Sequence, residues 1–415
     1  MRALERVPPR ERPFAHELTY GTLRLRGRLD HVLSQFVKRG LTHVEPDVLD
    51  VLRLAAYQLT ELAGVPAYAA VSQAVEQARA VGGRGAGGFV NGVLQSLRRA
   101  GGTVTFPSLA DDPVGRLTTL GSHPRWIVER WVERFGAVAA EALTVANNER
   151  PALYLHPVGI APDDAIERLV RVGIDAERPD LGGQGAGVVV PGSIRILPPA
   201  GAIDALAAIP AIVQDPAATL AALALAAPPG VLVADLCAAP GGKALVTATR
   251  SAAPALVVAA DASPERIGRL RENVARVGTP NIAIVVADAR RPPLRRADAV
   301  LIDAPCTGTG TFRRHPDGRW RVTPDDLRAL CALQREILDA AADIVPPGGT
   351  LLYATCSLEP EENEEQVEAF LMRQPGFARE PIVAHQAVVD RAGQLVVLPH
   401  VLGVDGAFAA RLRRR

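Results

Sequence analysis

A glycine-rich segment at residues 235–243 restricts the fold of this chain more than any other feature. It reads Asp-Leu-Cys-Ala-Ala-Pro-Gly-Gly-Lys, follows the apolar run 231–234 and precedes a segment compatible with a helix. A strand, a tight glycine turn and a helix start, in that order, direct backbone N–H groups toward a bound ligand. Pro240 restrains the turn, and Gly241 and Gly242 permit a close approach of ligand and backbone. The segment lacks the G-x-G-x-x-G order of the dinucleotide fingerprint.

Beyond residue 230, strand-length apolar runs alternate with helix-length segments. The pattern predicts strands and helices, the strands at 231–236, 256–260, 282–287, 298–303 and 350–355 and the helices at 243–250, 264–277, 325–345 and 361–373. This alternation indicates βαβ units and a parallel, doubly wound, Rossmann-like α/β sheet. Each strand ends at or near a polar residue: Asp235, Asp261, Asp288, Asp303, and Thr355 with Cys356. Because ligands bind at the carboxyl ends of such strands, we expect one site there.

The first hundred residues have the three- and four-residue spacing of amphipathic helices. Helices are predicted at 15–25, 29–37, 46–62, 69–81 and 89–99, the last two separated by the glycines of 82–88. The predicted domains are an all-α bundle over 1–100, a linker over 101–120, a small helical and α+β module over 121–215, and the α/β domain over 216–415.

Composition excludes several classes of protein. The longest apolar stretch, 217–227, is too short to cross a bilayer, and residues 1–6 contain charged side chains without an apolar run. We therefore expect no signal peptide and a cytoplasmic location. Four cysteines in 415 residues indicate free thiols, some of them catalytic, rather than a disulfide framework. The eight histidines are scattered without ligand spacing, so no metal is expected.

Charge is distributed unevenly along the chain. The net charge is +1, but residues 1–100 hold 14 basic and 9 acidic side chains, a surplus of five. This surplus fits either a local nucleic-acid surface or ordinary solvated helix faces. Among 46 basic residues only Lys38 and Lys243 are lysine. A lysine inside the glycine-rich loop indicates that the site requires a compact ammonium group.

Three segments together resemble motifs I, IV and VI of the RNA (cytosine-5)-methyltransferases: the glycine-rich loop, Asp303-Ala304-Pro305-Cys306 and Thr355-Cys356-Ser357. Residues 17–24 and 88–94 resemble the NusB-type RNA-binding domain, whose first helix is expected to be missing here. The combination is similar to the bacterial 16S rRNA (cytosine-5)-methyltransferases of the RsmB/Sun family. This resemblance implies a monomeric enzyme that methylates C5 of one cytidine in 16S rRNA, free or in a small-subunit assembly intermediate, from S-adenosylmethionine.

The strand ends and the loop are the expected cofactor site. Asp261 lies where a carboxylate accepts both ribose hydroxyls, although it or Ser263 could instead cap the next helix. The resemblance gives Asp288 the adenine amino group, although an isolated Asp here would be a turn residue. Asp235 is expected to order the loop. The complete predicted cofactor set is Cys237, Ala238, Ala239, Pro240, Gly241, Gly242, Lys243, Asp261, Arg266, Asp288 and Asp303.

Methylation of cytosine at C5 requires covalent help because C5 is a poor nucleophile. A thiolate must add to C6, N3 must accept a proton or a hydrogen bond, and the C5 proton must leave. The Pro-Cys segment resembles the nucleophile motif of DNA enzymes, and the Thr-Cys segment resembles that of RNA enzymes. Their joint presence implies that Cys356 attacks, Cys306 assists product release and Asp303 serves N3. The alternative is that both cysteines are small buried hydrophobic residues.

The segment 307–317 is flexible at its start and basic in its middle, which suits a loop that closes over a flipped base. Arg313, Arg314 and His315 would then contact RNA, although a plain solvated loop is the alternative. The acidic run 361–364 is explained by the helix dipole, without a catalytic role. Two other functions stay open: the same chemistry on tRNA or another rRNA, and a non-catalytic RNA-binding or ribosome assembly factor.

Overall fold

A computed structural model describes residues 6–101, 104–182, 187–249 and 256–415. Residues 1–5, which carry part of the expectation about a signal peptide, lie outside this description. The chain forms two compact units. The first comprises the chain up to Glu149 together with His315–Arg321, and the second comprises Arg150–Arg314 and Val322–Arg415. Within the described residues, no helix has both the length and the apolar character needed to cross a membrane.

The described elements of the first unit are helices, which confirms the predicted all-α bundle. They are α1 (Arg12–Arg24), α2 (Arg26–Ser34), α3 (Pro46–Glu61), α4 (Ala67–Ala100), α5 (Pro113–Thr119), α6 (Arg125–Phe135) and α7 (Ala137–Asn148). Leu29, Leu33, Leu52 and Leu94 form its fully buried centre. The glycines of 82–88 were predicted to separate two helices, and α4 does consist of two helical segments that meet at Gly83. Gly83 is non-helical (φ 75°, ψ −172°), a conformation that glycine adopts without steric cost, so the break is a kink at one residue rather than a loop over the whole glycine run.

A one-turn helix, Gly318–Arg321, also belongs to the first unit. The guanidinium of Arg319 is fully buried there and donates to the carbonyl oxygens of Arg24, Ser122 and Asn147. Burial, together with the nearby Arg24, lowers the pKa of Arg319 to about 9. Because an arginine is costly to bury, the segment that carries it is an integral part of this unit.

The second unit begins with a small α+β module at residue 150, whereas the sequence predicted a module from residue 121; the helices α6 and α7 belong to the first unit, and α5 lies in the predicted linker. The elements of the module are β1 (Leu153–Pro157), α8 (Pro162–Arg171), β2 (Ala176–Glu177), β3 (Asp180–Leu181), β4 (Val188–Val189), β5 (Ile194–Ile196), α9 (Ala202–Ala208) and β6 (Ala211–Val213). An antiparallel sheet has the order β2-β5-β1-β6, and β3 pairs with β4. Leu155, Leu169 and Ile194 are fully buried in its core.

The remaining elements form the predicted α/β domain. They are α10 (Pro216–Leu223), β7 (Leu232–Asp235), α11 (Gly242–Thr249), β8 (Leu256–Asp261), α12 (Pro264–Val277), β9 (Ile282–Val286), β10 (Ala299–Asp303), α14 (Pro324–Ile344), β11 (Thr350–Thr355), α15 (Glu364–Arg373), β12 (Phe377–Arg379), β13 (Leu395–Val397), α16 (Pro399–Leu402) and β14 (Ala407–Arg414). The label α13 is kept for the one-turn helix Gly318–Arg321 of the first unit. The sheet order is β12-β14-β11-β10-β7-β8-β9, and β13 also pairs with β14.

The five predicted strands are β7 to β11, and they are parallel as expected. Their residues Val233, Leu301 and Leu352 are fully buried. The order of the strands reverses between β7 and β10, which makes this the topological switch point. A crevice opens at the carboxyl ends of the strands at such a point. Asp235 ends β7 and Asp303 ends β10, so both carboxylates lie at this crevice.

Candidate active site

The glycine-rich loop joins β7 to α11, as predicted. Gly241 has a φ of +110°, and a Cβ atom there would lie 2.4 Å from Leu270 Cδ1. A Cβ atom on Gly242 would lie 2.1 Å from Gln214 Oε1. The positive φ favours glycine at position 241, whereas the atom that would crowd a Cβ at position 242 is the end of a flexible glutamine side chain; the sequence alone suggested an approaching ligand at both positions. The N–H of Ala238 donates to the Ala260 carbonyl at 2.8 Å, which holds the loop against β8.

The Asp261 carboxylate is buried at the end of β8. One oxygen accepts from the Ser263 N–H at 2.9 Å and the other from the Ala239 N–H at 3.3 Å. The N-cap of α12 is Ser263, whose hydroxyl accepts from the Arg266 N–H. Asp261 is thus available for a role other than capping, and it is fixed in orientation against the glycine-rich loop. Arg266 supports the same geometry, since its guanidinium contacts Asp261 and the Ala239 carbonyl.

Asp288 lies after β9, where the sequence predicts the adenine contact. The Arg290 guanidinium donates to its carboxylate, with the Nη2–Oδ2 distance at 2.7 Å, and the Arg290 N–H donates to Oδ1 at 2.9 Å. These hydrogen bonds lower the pKa of Asp288. The carboxylate is partly exposed and remains able to accept from a ligand.

Asp261 and Asp288 line one cavity of about 450 Å³, together with both thiols. Its walls are Leu236, Cys237, Asp261, Ala262, Ser263, Arg266, Asp288, Ala289, Arg290, Asp303, Ala304, Pro305, Cys306, Leu333, Ile337 and Cys356. The cavity combines aliphatic walls with acceptor carboxylates, and its volume is in the range of small-molecule sites. A buried, oriented carboxylate beside a tight loop suits a ribose, so these residues fit S-adenosylmethionine.

Lys243 and Asp303 form an ion pair at the switch point. The ammonium donates to the Asp303 carboxylate with an Nζ–Oδ2 distance of 2.7 Å. Burial alone would lower the pKa of Lys243, but Asp303, aided by Cys356 and Asp235, outweighs it and raises that pKa. Lys243 therefore carries a positive charge in the site. Because Asp303 accepts from Lys243, the pair as a whole presents one donor and one acceptor to a substrate.

Asp235 lies behind this pair and is completely enclosed. Burial, and then the neighbouring Asp303, raise the pKa of Asp235 to about 8. The Cys237 thiol is also buried, and burial raises its pKa. The raised pKa of each group favours its neutral form. The loop-ordering role of Asp235 and the place of Cys237 in the cofactor set stay predictions.

The two thiols meet, with a Cys306 Sγ–Cys356 Sγ distance of 3.5 Å. They meet because β10 and β11 are adjacent and parallel, with Asp303 opposite Ala354. The hydrogen bond to Cys356, and then burial, raise the pKa of Cys306 well above its ordinary value. Cys306 is accordingly held as a thiol that can donate to the Cys356 sulfur.

Gly406, just before β14, packs against the segment that follows Cys306. The Gly406 N–H donates to the Gly310 carbonyl at 2.7 Å, and the Gly310 N–H donates to the Cys356 carbonyl at 2.9 Å. A Cβ atom on Gly310 would lie 2.7 Å from that carbonyl oxygen and 2.8 Å from the Gly406 Cα. Only glycine fits at Gly310, so this contact fixes the backbone that follows Cys306.

A second cavity of about 400 Å³ lies beside the first and shares Cys237 and Asp303 with it. Its polar walls combine the donors Gln214, Lys243, Asn273, Arg276 and Arg314 with the carboxyl groups of Asp215, Asp235, Asp303 and Asp405. The lining is therefore of mixed charge and offers both donors and acceptors.

The basic segment predicted to contact RNA divides into three different environments. Arg313 is buried and donates to the Gly403 carbonyl at 2.7 Å, which corrects its predicted role as an RNA contact. Arg314 lines the second cavity and donates to Asp215 at 2.6 Å and to Asp405 at 2.8 Å. Both carboxylates hold its side chain in place and raise its pKa against the opposing effect of burial. His315 is exposed on the segment that belongs to the first unit.

Sequence reasoning missed two carboxylates of this region. Asp215 caps α10 by accepting from the Ala217 N–H at 2.9 Å and also pairs with Arg314. The Asp-Pro pair at 215–216 is a helix-start signal that could have identified the cap. The sequence placed Glu362 at a helix start and explained it by the helix dipole, but it is fully buried in a 3-10 turn that precedes α15. No local pattern in the sequence predicts that this side chain is buried.

The chain matches known proteins over nearly its whole length. The family model described as 16S rRNA methyltransferase RsmB/F matches residues 222–413, and the NusB family model matches residues 2–99. The probable ribosomal RNA small subunit methyltransferase B of Bacillus subtilis is 34% identical, over 96% of this chain and 90% of that protein. The ribosomal RNA small subunit methyltransferase B of Pseudomonas putida is also 34% identical, over 99% and 92%.

A solved structure has the same architecture. The crystal structure of PH0851 superposes with a TM-score of 0.81 at 26% identity and covers 99% of this chain and 91% of its own. The superposition and the matches in sequence extend over both units, and the glycine-rich loop, the strand-end carboxylates and the thiols lie within the matched region 222–413. The chain therefore belongs to the 16S rRNA methyltransferase RsmB/F family, and it is an RNA methyltransferase that uses S-adenosylmethionine.

Proposed function

We propose that this protein methylates C5 of one cytidine in 16S rRNA through a covalent adduct between Cys356 and C6 of the base. The single observation that carries the proposal is the pair of thiols 3.5 Å apart at the mouth of the cofactor cavity. One thiol would suffice for a simple nucleophile. Two thiols in contact suit a reaction in which one sulfur must bond to carbon and later leave.

The first step uses Cys356, Lys243 and Asp303. The Cys356 thiolate forms a bond to C6, and the C5–C6 π electrons move toward C5 and, through C4, toward N3. Asp303 serves N3, as the sequence suggests, and the Lys243 ammonium that donates to Asp303 supplies the positive charge beside it. The protein thus stabilises the charge that develops on the ring at this point.

S-adenosylmethionine, when bound, supplies the electrophilic methyl group, and Asp261 and Asp288 would hold its adenosine part. The remaining steps restore the ring. A base removes the proton from C5, the C5–C6 double bond returns, and the bond from C6 to the Cys356 sulfur breaks. Cys306 can donate its thiol hydrogen bond to the departing sulfur, because its pKa is raised and it stays protonated. This is the release role that the sequence suggests.

The family relationship favours 16S rRNA over tRNA. The names of the relatives refer to the RNA of the small ribosomal subunit. A cytoplasmic, monomeric protein that acts on free RNA or on an assembly intermediate is part of this proposal. Neither a tRNA enzyme nor a non-catalytic assembly factor has an observation here that favours it.

The direct test is methylation of defined RNA. Full-length protein and labelled S-adenosylmethionine are incubated with 16S rRNA, with small-subunit particles and with bulk tRNA, and the nucleosides are analysed by mass spectrometry. We expect 5-methylcytidine in 16S rRNA, at one position by bisulfite sequencing, and none with Cys356→Ala. Methylation of tRNA alone would overturn the substrate. RNA binding with no methyl transfer would favour the assembly factor.

A further inference from the structure

Glu362 has no place in the chemistry described above, yet its carboxylate is the most heavily bonded group near the thiols. It is fully buried in the turn that follows β11. Oε1 accepts from the Thr307 N–H at 2.9 Å and from the Gln334 side-chain amide at 3.0 Å. Oε2 accepts from the Thr307 hydroxyl. Burying a carboxylate costs free energy unless its oxygens accept hydrogen bonds. The three hydrogen bonds to Glu362 offset that cost and hold its side chain in one orientation.

These bonds reach both thiol loops. Thr307 follows Cys306 directly, and Gln334 also donates to the Pro305 carbonyl at 2.9 Å, so the backbone is held on each side of Cys306. The Thr307 hydroxyl lies 3.2 Å from the hydroxyl of Ser357, the residue after Cys356. The carboxylate is therefore the common acceptor of a network that includes the neighbour of each thiol.

We propose that Glu362 is a positioning residue that sets the separation and orientation of the Cys306 and Cys356 thiols by tying the two loops that carry them to one carboxylate. The role rests on the proposed function only in its consequence for catalysis, because the thiol geometry itself is a property of the free protein. Glu362 acts on the thiols through Thr307 and Ser357.

A second effect of the same carboxylate makes the inference testable without RNA. The negative charge of Glu362 is among the causes that raise the pKa of Cys306, after the hydrogen bond to Cys356 and burial. Removing the charge should shift the titration of that thiol to lower pH. A residue that merely stabilised the fold would alter reagent access at every pH, but it would leave the midpoint unchanged.

The conservative variant Glu362→Gln keeps the size of the side chain and places an amide donor against the Thr307 hydroxyl. Glu365→Gln is the matched control, because Glu365 is exposed on α15 three residues further along the chain. In the free full-length protein, alkylation of each cysteine by iodoacetamide is followed from pH 7 to 10.5 by peptide mass spectrometry. We expect the Cys306 midpoint to fall by roughly one pH unit in Glu362→Gln and to stay in place in Glu365→Gln.

The catalytic consequence is measured with a 16S rRNA transcript that contains 5-fluorocytidine. Its C5 carries fluorine in place of the proton that must leave, so the covalent adduct is trapped. Misplacement of a reacting group by about 1 Å can cost on the order of a hundredfold in rate. We expect Glu362→Gln to form the adduct between about ten and a hundred times more slowly, with the KM for S-adenosylmethionine within about twofold of the parent protein.

Thr307→Val removes the connecting hydroxyl and keeps the volume, so it tests the network if Glu362→Gln fails to fold. It should slow adduct formation in the same direction. The double variant should be no slower than the slower single variant, since both changes break one connection. The inference would be overturned if the two single changes slowed adduct formation multiplicatively in the double variant. It would also be overturned if Glu362→Gln matched Glu365→Gln in both assays. Absence of any adduct in the parent protein would refute the covalent function alone, and the alkylation profile would still decide the role of Glu362.

Discussion

The sulfur atoms of Cys306 and Cys356 lie 3.5 Å apart although 50 residues separate them in the chain. Cys356 is the first residue after β11, and Cys306 is the third residue after the adjacent strand β10. The parallel register of these strands, with Asp303 opposite Ala354, places both thiols over the same end of the sheet. The two cysteines therefore form one functional unit, and single substitutions should separate their roles.

Cys356→Ala is expected to abolish methyl transfer and to give no covalent RNA complex, because the sulfur that bonds to C6 is gone. Cys306→Ala should still attack and transfer methyl, but it should release product poorly and accumulate a complex that resists denaturation. A denaturing gel with labelled 16S rRNA distinguishes them. Trapped RNA on Cys356→Ala and none on Cys306→Ala would reverse the assignment, and methylation without adduct in either variant would exclude covalent catalysis.

Asp261→Ala should weaken the binding of S-adenosylmethionine by about 1.5–3 kcal/mol, because an acceptor for two hydroxyls is removed. Asp261→Asn keeps one acceptor for the Ala239 and Ser263 N–H groups and should lose less. Calorimetry on the free protein measures both, with Asp325→Asn as the control, because Asp325 is an exposed aspartate on α14. Equal affinities in all four proteins would remove Asp261 from the cofactor site.

Asp235 should make folding stability depend on pH. Its pKa is raised to about 8 in the folded protein, above the ordinary value of 3.8, so the folded state favours the neutral form. The stabilisation is complete below about pH 4 and is lost as the pH rises toward 8. Asp235→Asn should therefore flatten urea-derived stability between pH 5 and 8, by up to about 1.4 kcal/mol per pH unit. A slope equal to that of the parent protein would contradict this expectation.

The basic surplus of the first hundred residues should contribute RNA affinity without chemistry. Lys38 and Arg39 are exposed beside Phe36 and Phe89 on one cavity of the first unit. Changing both to Glu should weaken RNA binding. It should also lower the salt dependence of binding, by about 0.7 in log–log slope for each RNA phosphate that the protein no longer neutralises. Cofactor affinity should not change.

The control for this charge reversal is Arg328→Glu with Arg335→Glu, which alters the charge equally on α14 in the second unit. If both pairs weaken RNA binding alike, bulk charge rather than a surface of the first unit is responsible. Deletion of the whole bundle is a poorer test, because the buried Arg319 would lose the Arg24 carbonyl that accepts from it.

The sequence alone predicted the strands β7 to β11 and their shared site edge, because apolar runs of strand length and polar strand ends are local properties. It likewise identified the loop at 235–243, and it identified Cys306 and Cys356 from the Pro-Cys and Thr-Cys segments that contain them. It also predicted the break between two helices at the glycines of 82–88, and Gly83 does leave helical geometry there. Its length was not predictable, since glycine permits a one-residue kink as readily as a longer loop.

Tertiary structure decided which polar side chains are enclosed and what they contact. Arg313 and Arg314 are adjacent and alike in sequence, yet one is buried against the Gly403 carbonyl and the other pairs with Asp215 and Asp405. Glu362 is one of several acids in a row, but only its position between two loops makes it their common acceptor. Burial and partnership arise from contacts between residues that are distant in the chain. They also set the pKa values of Asp235 and Cys306, because those depend on solvent exclusion and neighbouring charge.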